Sequence, residues 1–413
     1  MGSIHLRLRK SGETLSIADR PQVTSVTLDC DRVYTFDRAG RLSNFFDAGT
    51  FYRRGFDHRL LRKMRGNTRE WNVEILDSKV ARSTYRTIFR PLAQALSELD
   101  AEPDSESASL AADGEIRARA RRLLAGIMSM GPDALARDAD RFREVYSPVA
   151  MLPPDHYLAL VVQVTQGCSH NKCRFCSFYH DVPFRVKSPA ELDLHMDEVV
   201  RFLGAGISLR QSVFLGDANA LVIEPARLSD YLDRIGTRFT GSRAPRGFHP
   251  RGIFSFVDSF HTGFEHPETW EAFRERGLSG VYLGIESGSD ELLSAMDKPA
   301  SCDATLAAVT VLKRAGLKVG VILIAGLGGA AWAEVHQRET AALLERLPLD
   351  RHDLVYYSPY QEDKRRAQMA DFKPELPSGG RLLQMQAWSN ALAIRPIARR
   401  PRTAVYSLRE FIY

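Results

Sequence analysis

The chain has 413 residues, 44% of them hydrophobic and 26% charged, with a formal net charge of +5. It is too long for one small domain and apolar enough for a large core, and its mild basicity argues against a dedicated nucleic-acid binder. No run approaches a membrane span, no signal-peptide core is visible, and Leu6 stands where a myristoylation signal needs Ser or Thr, so a cytoplasmic protein is expected.

Residues 1–150 are expected to form an α+β extension. Val23 to Leu28 and Arg32 to Thr35 read as short strands, with Asp37 to Gly40 as a turn. Thr50 to His58 is an aromatic and basic patch leading into a helix around Leu60. Residues 98–115 carry seven acidic residues and no basic one, the composition of a flexible linker, and a helix follows over 116–128. Pro148, Pro153 and Pro154 punctuate the entry to the next domain.

From 151 to 360 the pattern is regular. Short apolar strands near 157–164, 211–216, 252–257, 280–285, 318–325 and 353–358 alternate with amphipathic helices near 189–203, 225–238, 267–277, 289–296, 303–315 and 331–346. This alternation predicts an α/β fold, a partial (β/α)6 parallel barrel, with ligands gathered at the carboxyl ends of its strands. Residues 361–413 read as a C-terminal tail with a helix over 380–393, a basic stretch (Arg395, Arg399, Arg400, Arg402), and an apolar ending, Tyr406 to Tyr413, expected to cover the barrel mouth as a lid.

Three of the five cysteines fall in one nine-residue loop after the first barrel strand, Cys168-Ser-His-Asn-Lys-Cys173-Arg-Phe-Cys176. A thiolate triad at this spacing can hold three irons of a [4Fe–4S] cluster and leave the fourth iron open. A structural zinc site wants four ligands, with His170 the local fourth candidate, and a disulfide framework does not suit an odd count. Cys30 and Cys302 stand alone, as small buried residues commonly do.

The cysteine loop and the chain downstream resemble the radical S-adenosylmethionine (radical SAM) superfamily, nearest in pattern to its coproporphyrinogen-oxidase-like and elongator-like branch. Phe175 before the last cysteine matches the family's aromatic position, while the first gap holds four residues where most members have three. The resemblance implies a [4Fe–4S] cluster on Cys168, Cys173 and Cys176, bound to S-adenosyl-L-methionine. Reductive cleavage would then give a 5′-deoxyadenosyl radical that abstracts hydrogen from a substrate. It also implies cofactor contacts at Gly216 and Asp217 (FLGDAN), Glu286 and Ser287 (GIESGSD, followed by MDKP), and Gly326 in the glycine-bearing fifth strand.

Beyond the cofactor, His336, Asp258, His261 and Tyr413 are weak catalytic candidates, each also readable as ordinary packing or capping. Trp332, His336 and Thr340 share one helical face. The expected partners are a small-molecule substrate and an electron donor such as flavodoxin or ferredoxin. Radical modification of tRNA or a protein is the alternative raised by the basic stretches, and a non-catalytic iron–sulfur scaffold or redox sensor is the third. The N-terminal residues show no Asp-x-His-x-x-Gly cobalamin signature.

Overall fold

The computed structural model describes residues 2–66, 71–101, 111–241, 243–260, 264, 266–360 and 375–413. Its N-terminal layer is an antiparallel meander in sequence order: β1 (Ser3–Arg7), β2 (Thr14–Asp19), β3 (Val23–Leu28), β4 (Arg32–Asp37), β5 (Leu42–Asp47), β6 (Thr50–Arg54), β7 (Leu60–Arg65) and β8 (Trp71–Ile75). β3 alternates half-buried and buried residues, so Val26 and Leu28 enter a core shared with Tyr34 and Phe36. α1 (Ser78–Asp100) and α2 (Ala111–Met128) cover that face, with Tyr85, Phe89 and Leu92 buried in it. α3 (Pro132–Val145) then leads toward the second layer.

One expectation fails here, and a second is narrowed at its ends. The helix around Leu60 is the strand β7, because Leu60 pairs with Arg54 and continues the meander. The acidic segment is largely helical where it is described: Glu98 and Asp100 end α1, and α2 starts at Ala111. Residues 102–110 of the expected linker lie outside the described residues.

The second layer is a parallel sheet of β9 (Ala159–Gln163), β12 (Ser212–Gly216), β13 (Ile253–Val257), β14 (Leu278–Glu286), β15 (Lys318–Ala325), β16 (Leu354–Pro359) and β17 (Arg402–Val405), in that spatial order. β10 (Thr165–Gln166) and β11 (Arg185–Val186) form a small ribbon that brackets the cysteine loop. The helices α4 (Pro189–Leu203), α5 (Pro225–Phe239), α6 (Pro267–Glu275), α7 (Asp290–Ala295), α8 (Cys302–Arg314), α9 (Ala333–Arg346) and α10 (Ser378–Ala393) fill the crossovers. Strands such as β9 and β12 are buried along their whole length, as a sheet covered on both faces requires. α4 starts sharply because Pro189 sits at its first turn and Ser188 and Glu191 cap each other reciprocally.

The C-terminal segment corrects the expected tail. Arg402–Val405 adds a seventh parallel strand beside β16. Tyr413 does not cover the mouth; its hydroxyl accepts from Val161 N–H at 3.0 Å and donates to Ala159 O at 3.2 Å along the open edge of β9. Tyr146 donates to Val161 O at 3.0 Å, and His195 Nε2 accepts from Gln163 N–H at 3.1 Å. Side chains thus satisfy an edge that another strand would otherwise pair. Asp155 closes the amino end of the barrel, accepting from Tyr282 at 2.7 Å, Tyr356 at 2.8 Å and Lys318 at 2.9 Å.

Candidate active site at the cysteine loop

The loop leaves β10 through Gly167, whose φ is +74° and where a Cβ would lie 2.6 Å from Val182 O. The end of β12 clamps its base. Asp217 accepts from Gln163 Nε2 at 2.9 Å and from Gly167 N–H at 3.2 Å, while Gly216 O accepts from Thr165 Oγ1 at 3.1 Å and from Val164 N–H at 3.1 Å. Burial pushes the Asp217 carboxyl up to about 6. The acceptors expected to meet a cofactor ammonium are therefore engaged in holding the loop, and it is Ala218 that lines the cavity.

Within the loop Asn171 takes a left-handed conformation, sends its backbone N–H to Cys168 Sγ at 3.3 Å and donates from its side chain to Tyr179 O at 2.7 Å. The far side docks on the turn after α7, with Arg174 N–H on Met296 O at 3.0 Å and His170 Nε2 on Asp297 O at 2.7 Å. His170 thus gives Nε2–H to a carbonyl, which leaves Nδ1 as the nitrogen that the zinc alternative would use. Cys173 and Cys176 pack against an apolar cluster of Phe175, Leu292, Met296, Leu327 and Tyr360. Burial raises the Cys168 thiol, an effect that the N–H groups of Asn171 and His170 oppose, and pushes Cys173 up to about 12.

The three cysteines line one cavity of about 630 Å³ at the carboxyl ends of the strands. Among the described residues no three His, Cys, Asp or Glu side chains converge on a single-ion site. The donor set is instead three thiols on a cavity wall, backed by apolar side chains and by amide N–H groups, which is the chemistry an iron–sulfur cluster takes.

Glu286 ends β14 with φ +57°, where the register against β15 breaks. A non-glycine residue held there costs on the order of 1–3 kcal/mol, and the kink brings its carboxylate into the cavity. Lys298 bridges Glu286 Oε1 at 3.1 Å and Gly284 O at 2.6 Å, with its ammonium 5.9 Å from the Phe175 ring centre. Burial raises the Glu286 pKa against the pull of Lys298, and Glu286 and Asp258 hold Lys298 protonated despite its burial. Sequence reasoning noted the MDKP turn without assigning Lys298. A lysine inside the turn that follows a strand-end glutamate was the available signal.

Ser287 does not front the cavity. His336 Nε2–H donates to Ile324 O at 2.9 Å, so its Nδ1 accepts from the Ser287 hydroxyl at 2.8 Å. Ser287 Oγ accepts in turn from Ser289 N–H at 3.0 Å, and Thr340 Oγ1 accepts from Gly288 N–H at 2.9 Å. Gly288 permits this contact, since a Cβ there would lie 2.5 Å from Thr340 Cα. Burial lowers His336 to about 4, so it is a neutral clamp on the GIESGSD turn.

Asp258 lines the cavity and accepts from Asn219 Nδ2 at 2.8 Å. His261 lies outside the described residues. Gly326 has φ +89° and gives its N–H to Gln384 Oε1 on α10 at 2.8 Å, while Ile322 and Ile324 of the same strand line the cavity. Phe256, Tyr406, Leu408 and Arg409 complete the wall, so the C-terminal segment reaches the mouth through residues other than Tyr413.

A three-thiol loop at the carboxyl end of a parallel α/β sheet defines an iron–sulfur barrel protein. Residues 162–338 match the Radical SAM superfamily model, which identifies this segment as a radical SAM domain. Members of that superfamily use a [4Fe–4S] cluster and S-adenosylmethionine. The chain is 20% identical over 216 residues to 4′-phospho-dehydrooxetanocin synthase of Priestia megaterium, an alignment covering 49% of this chain and 29% of that relative. The chain thus spans under a third of the length of this curated relative. Among solved structures, coproporphyrinogen III oxidase from Escherichia coli aligns with a TM-score of 0.42 at 16% identity, over 62% of this chain and 55% of its own. Elp3 from Methanocaldococcus infernus aligns with a TM-score of 0.38 at 15% identity, over 53% and 54%.

Proposed function

We propose that this radical SAM enzyme abstracts hydrogen from a small molecule held in the cavity over Cys168, Cys173 and Cys176. The observation that carries the reading is that one cavity joins three thiols, the Glu286–Lys298 pair and an aromatic wall, at a volume of about 630 Å³. That volume lies in the range of small-ligand pockets.

Cys168, Cys173 and Cys176 would hold the cluster, which with S-adenosylmethionine and a one-electron donor such as flavodoxin or ferredoxin supplies the 5′-deoxyadenosyl radical. The rest falls to the chain's own side chains. Glu286 and Asp258 present acceptors to the cofactor's ammonium and ribose hydroxyls, and Lys298 holds Glu286 in place. Phe256, Phe175 and the Tyr406–Arg409 segment exclude water, which positions reactants and prevents side reactions.

Three arginines of the basic stretches that suggested an RNA substrate are engaged within the protein. Arg395 donates to Leu347 O at 3.0 Å and Leu349 O at 2.9 Å beyond the end of α9, and Arg400 donates to Ala393 O. Arg54 is buried on Asp138, and His58 stacks on Tyr85.

The test is label transfer. Fractionated deuterated metabolites and deuterated tRNA are incubated with reduced, cluster-loaded enzyme, and deuterium is sought in 5′-deoxyadenosine. Transfer from a small-molecule fraction is expected. Transfer from tRNA alone would overturn the proposal.

A further inference from the structure

A second cavity, of about 450 Å³, lies at the other end of the parallel sheet, where the N-terminal meander meets the residues leading into β9 and β12. Five cationic side chains line it, and three have their charge matched. Arg41 and Arg54 close on Asp138 at 3.0 and 3.1 Å, and Arg41 also reaches Asp37 at 3.4 Å. Lys63 pairs with Glu410 at 3.0 Å.

The remaining two, Arg53 and Arg210, have no carboxylate partner among the described residues. Arg53 stacks on Tyr157 at 4.9 Å and reaches Tyr157 O at 3.4 Å. Arg210 lies over the rings of Phe56 at 4.9 Å and Tyr413 at 5.8 Å, is only 8% exposed, and has a buried Nε–H with no hydrogen-bond partner. Stacking satisfies the faces of a guanidinium and leaves its in-plane N–H groups available, the geometry that grips an oxyanion in bidentate fashion. Burial lowers the Arg53 pKa, and the neighbouring charge of Arg210 lowers it further, so the pair stands in a state that an anion would relieve.

We propose that Arg53 and Arg210 form a binding site for a dianionic oxyanion, a phosphate group, between the N-terminal sheet and the amino end of the barrel. Two uncompensated positive charges match a dianion better than a single carboxylate. Arg53 belongs to β6 and Arg210 to the approach to β12, so the ligand ties the two layers together. Ser43 and Asn44 on the same wall offer further polar groups. The phosphate could arrive as the free ion or as the phosphoryl group of a metabolite, whose remainder the cavity has room to take. This inference does not depend on the reaction at the cysteine loop.

The full-length protein is titrated anaerobically with inorganic phosphate and separately with glycerol phosphate, chloride replacing either at constant ionic strength, and Tm and Kd are read. A saturable rise in Tm with phosphate is expected. Arg53→Gln and Arg210→Gln should each weaken Kd at least about tenfold, since each removes charge-assisted hydrogen bonds, while Arg143→Gln on the exposed face of α3 leaves it unchanged. Tighter binding of glycerol phosphate identifies a phosphorylated metabolite as the source, and equal binding identifies the free ion. Absence of a saturable response in the parent protein, or an undiminished one in Arg53→Gln, overturns the site. Because Arg210 also packs on two rings, Arg53→Gln at its half-buried position decides the matter if Arg210→Gln fails to fold.

Discussion

At the amino end of the parallel sheet, Asp138 draws Arg41 and Arg54 into a buried network and Asp155 gathers two tyrosines and Lys318. At the carboxyl end, Glu286, Lys298 and Asp258 stand around a cavity shared with three thiols. Most charges at the amino end are directed at other protein groups and join two layers. Those at the carboxyl end line a space large enough for ligands. The same residue types therefore act as adhesive in one place and as a site in the other, and the difference lies in whether the chain itself fills the space between them.

This contrast can be broken experimentally, starting with the largest effect. Replacing Cys168, Cys173 or Cys176 with Ala should abolish the iron–sulfur absorption and all cofactor cleavage while leaving the circular dichroism and Tm of the cluster-free chain nearly intact. A variant that keeps both cluster and cleavage contradicts the assignment.

Next comes the amino end. Asp138→Ala leaves Arg41 and Arg54 short of their buried partner and should cost about 3–5 kcal/mol in chemical denaturation, with no direct effect on the cavity. A change below about 1 kcal/mol would show that the network is not what joins the layers.

Tyr413→Phe should cost about 1–3 kcal/mol, because Val161 N–H and Ala159 O lose their partner at the edge of β9. Cofactor cleavage per folded molecule should be unchanged, and its loss would return Tyr413 to the catalytic candidates.

The smallest effect is in pH dependence. Burial lowers His58, His156 and His336 to about 4 and His195 to about 3, from an ordinary value of 6.5. Their folded pKa values are depressed, so the unfolded chain takes up protons that the folded one refuses. The stability they permit is complete above pH 6.5 and drains as pH falls toward 4. Asp217 and Glu286, whose pKa values are raised, work in the opposite direction. His336→Gln, which preserves a donor to Ile324 and an acceptor for Ser287, should reduce the slope of unfolding free energy with pH by up to about 1.4 kcal/mol per pH unit. An unchanged slope would mean that His336 titrates alike in both states.

How much of this was legible in sequence follows the same division. The strand–helix alternation of the barrel is local, and residues such as Leu160, Val213 and Val321 announce fully buried strands, so the positions of β9, β12, β13, β14, β15 and β16 could be read directly, while the short ribbon of β10 and β11 could not. In the meander β3 and β4 could be read, but β7 could not, because Leu60 and Leu61 make sense as strand residues only against Arg54 and Arg53. β17 was hidden for a similar reason. Arg402–Val405 is exposed throughout and is a strand only because β16 offers it an edge.

In the site, cysteine spacing named the thiols. Spacing could not show that Asp217 holds the loop or that Ser287 answers to His336, since those roles depend on hydrogen bonds between distant segments. Nor could it show that Arg53 and Arg54, adjacent in sequence, differ in having a counterion.

The most direct test of the central claim is anaerobic reconstitution with iron and sulfide, reduction in the presence of S-adenosylmethionine, and chromatography for 5′-deoxyadenosine, beside a Cys176→Ala control. The structure predicts 5′-deoxyadenosine from the parent chain and none from the control. Equal amounts from both, or a loaded cluster that never yields it across substrate fractions, would contradict the assignment of this cavity as a radical-generating site.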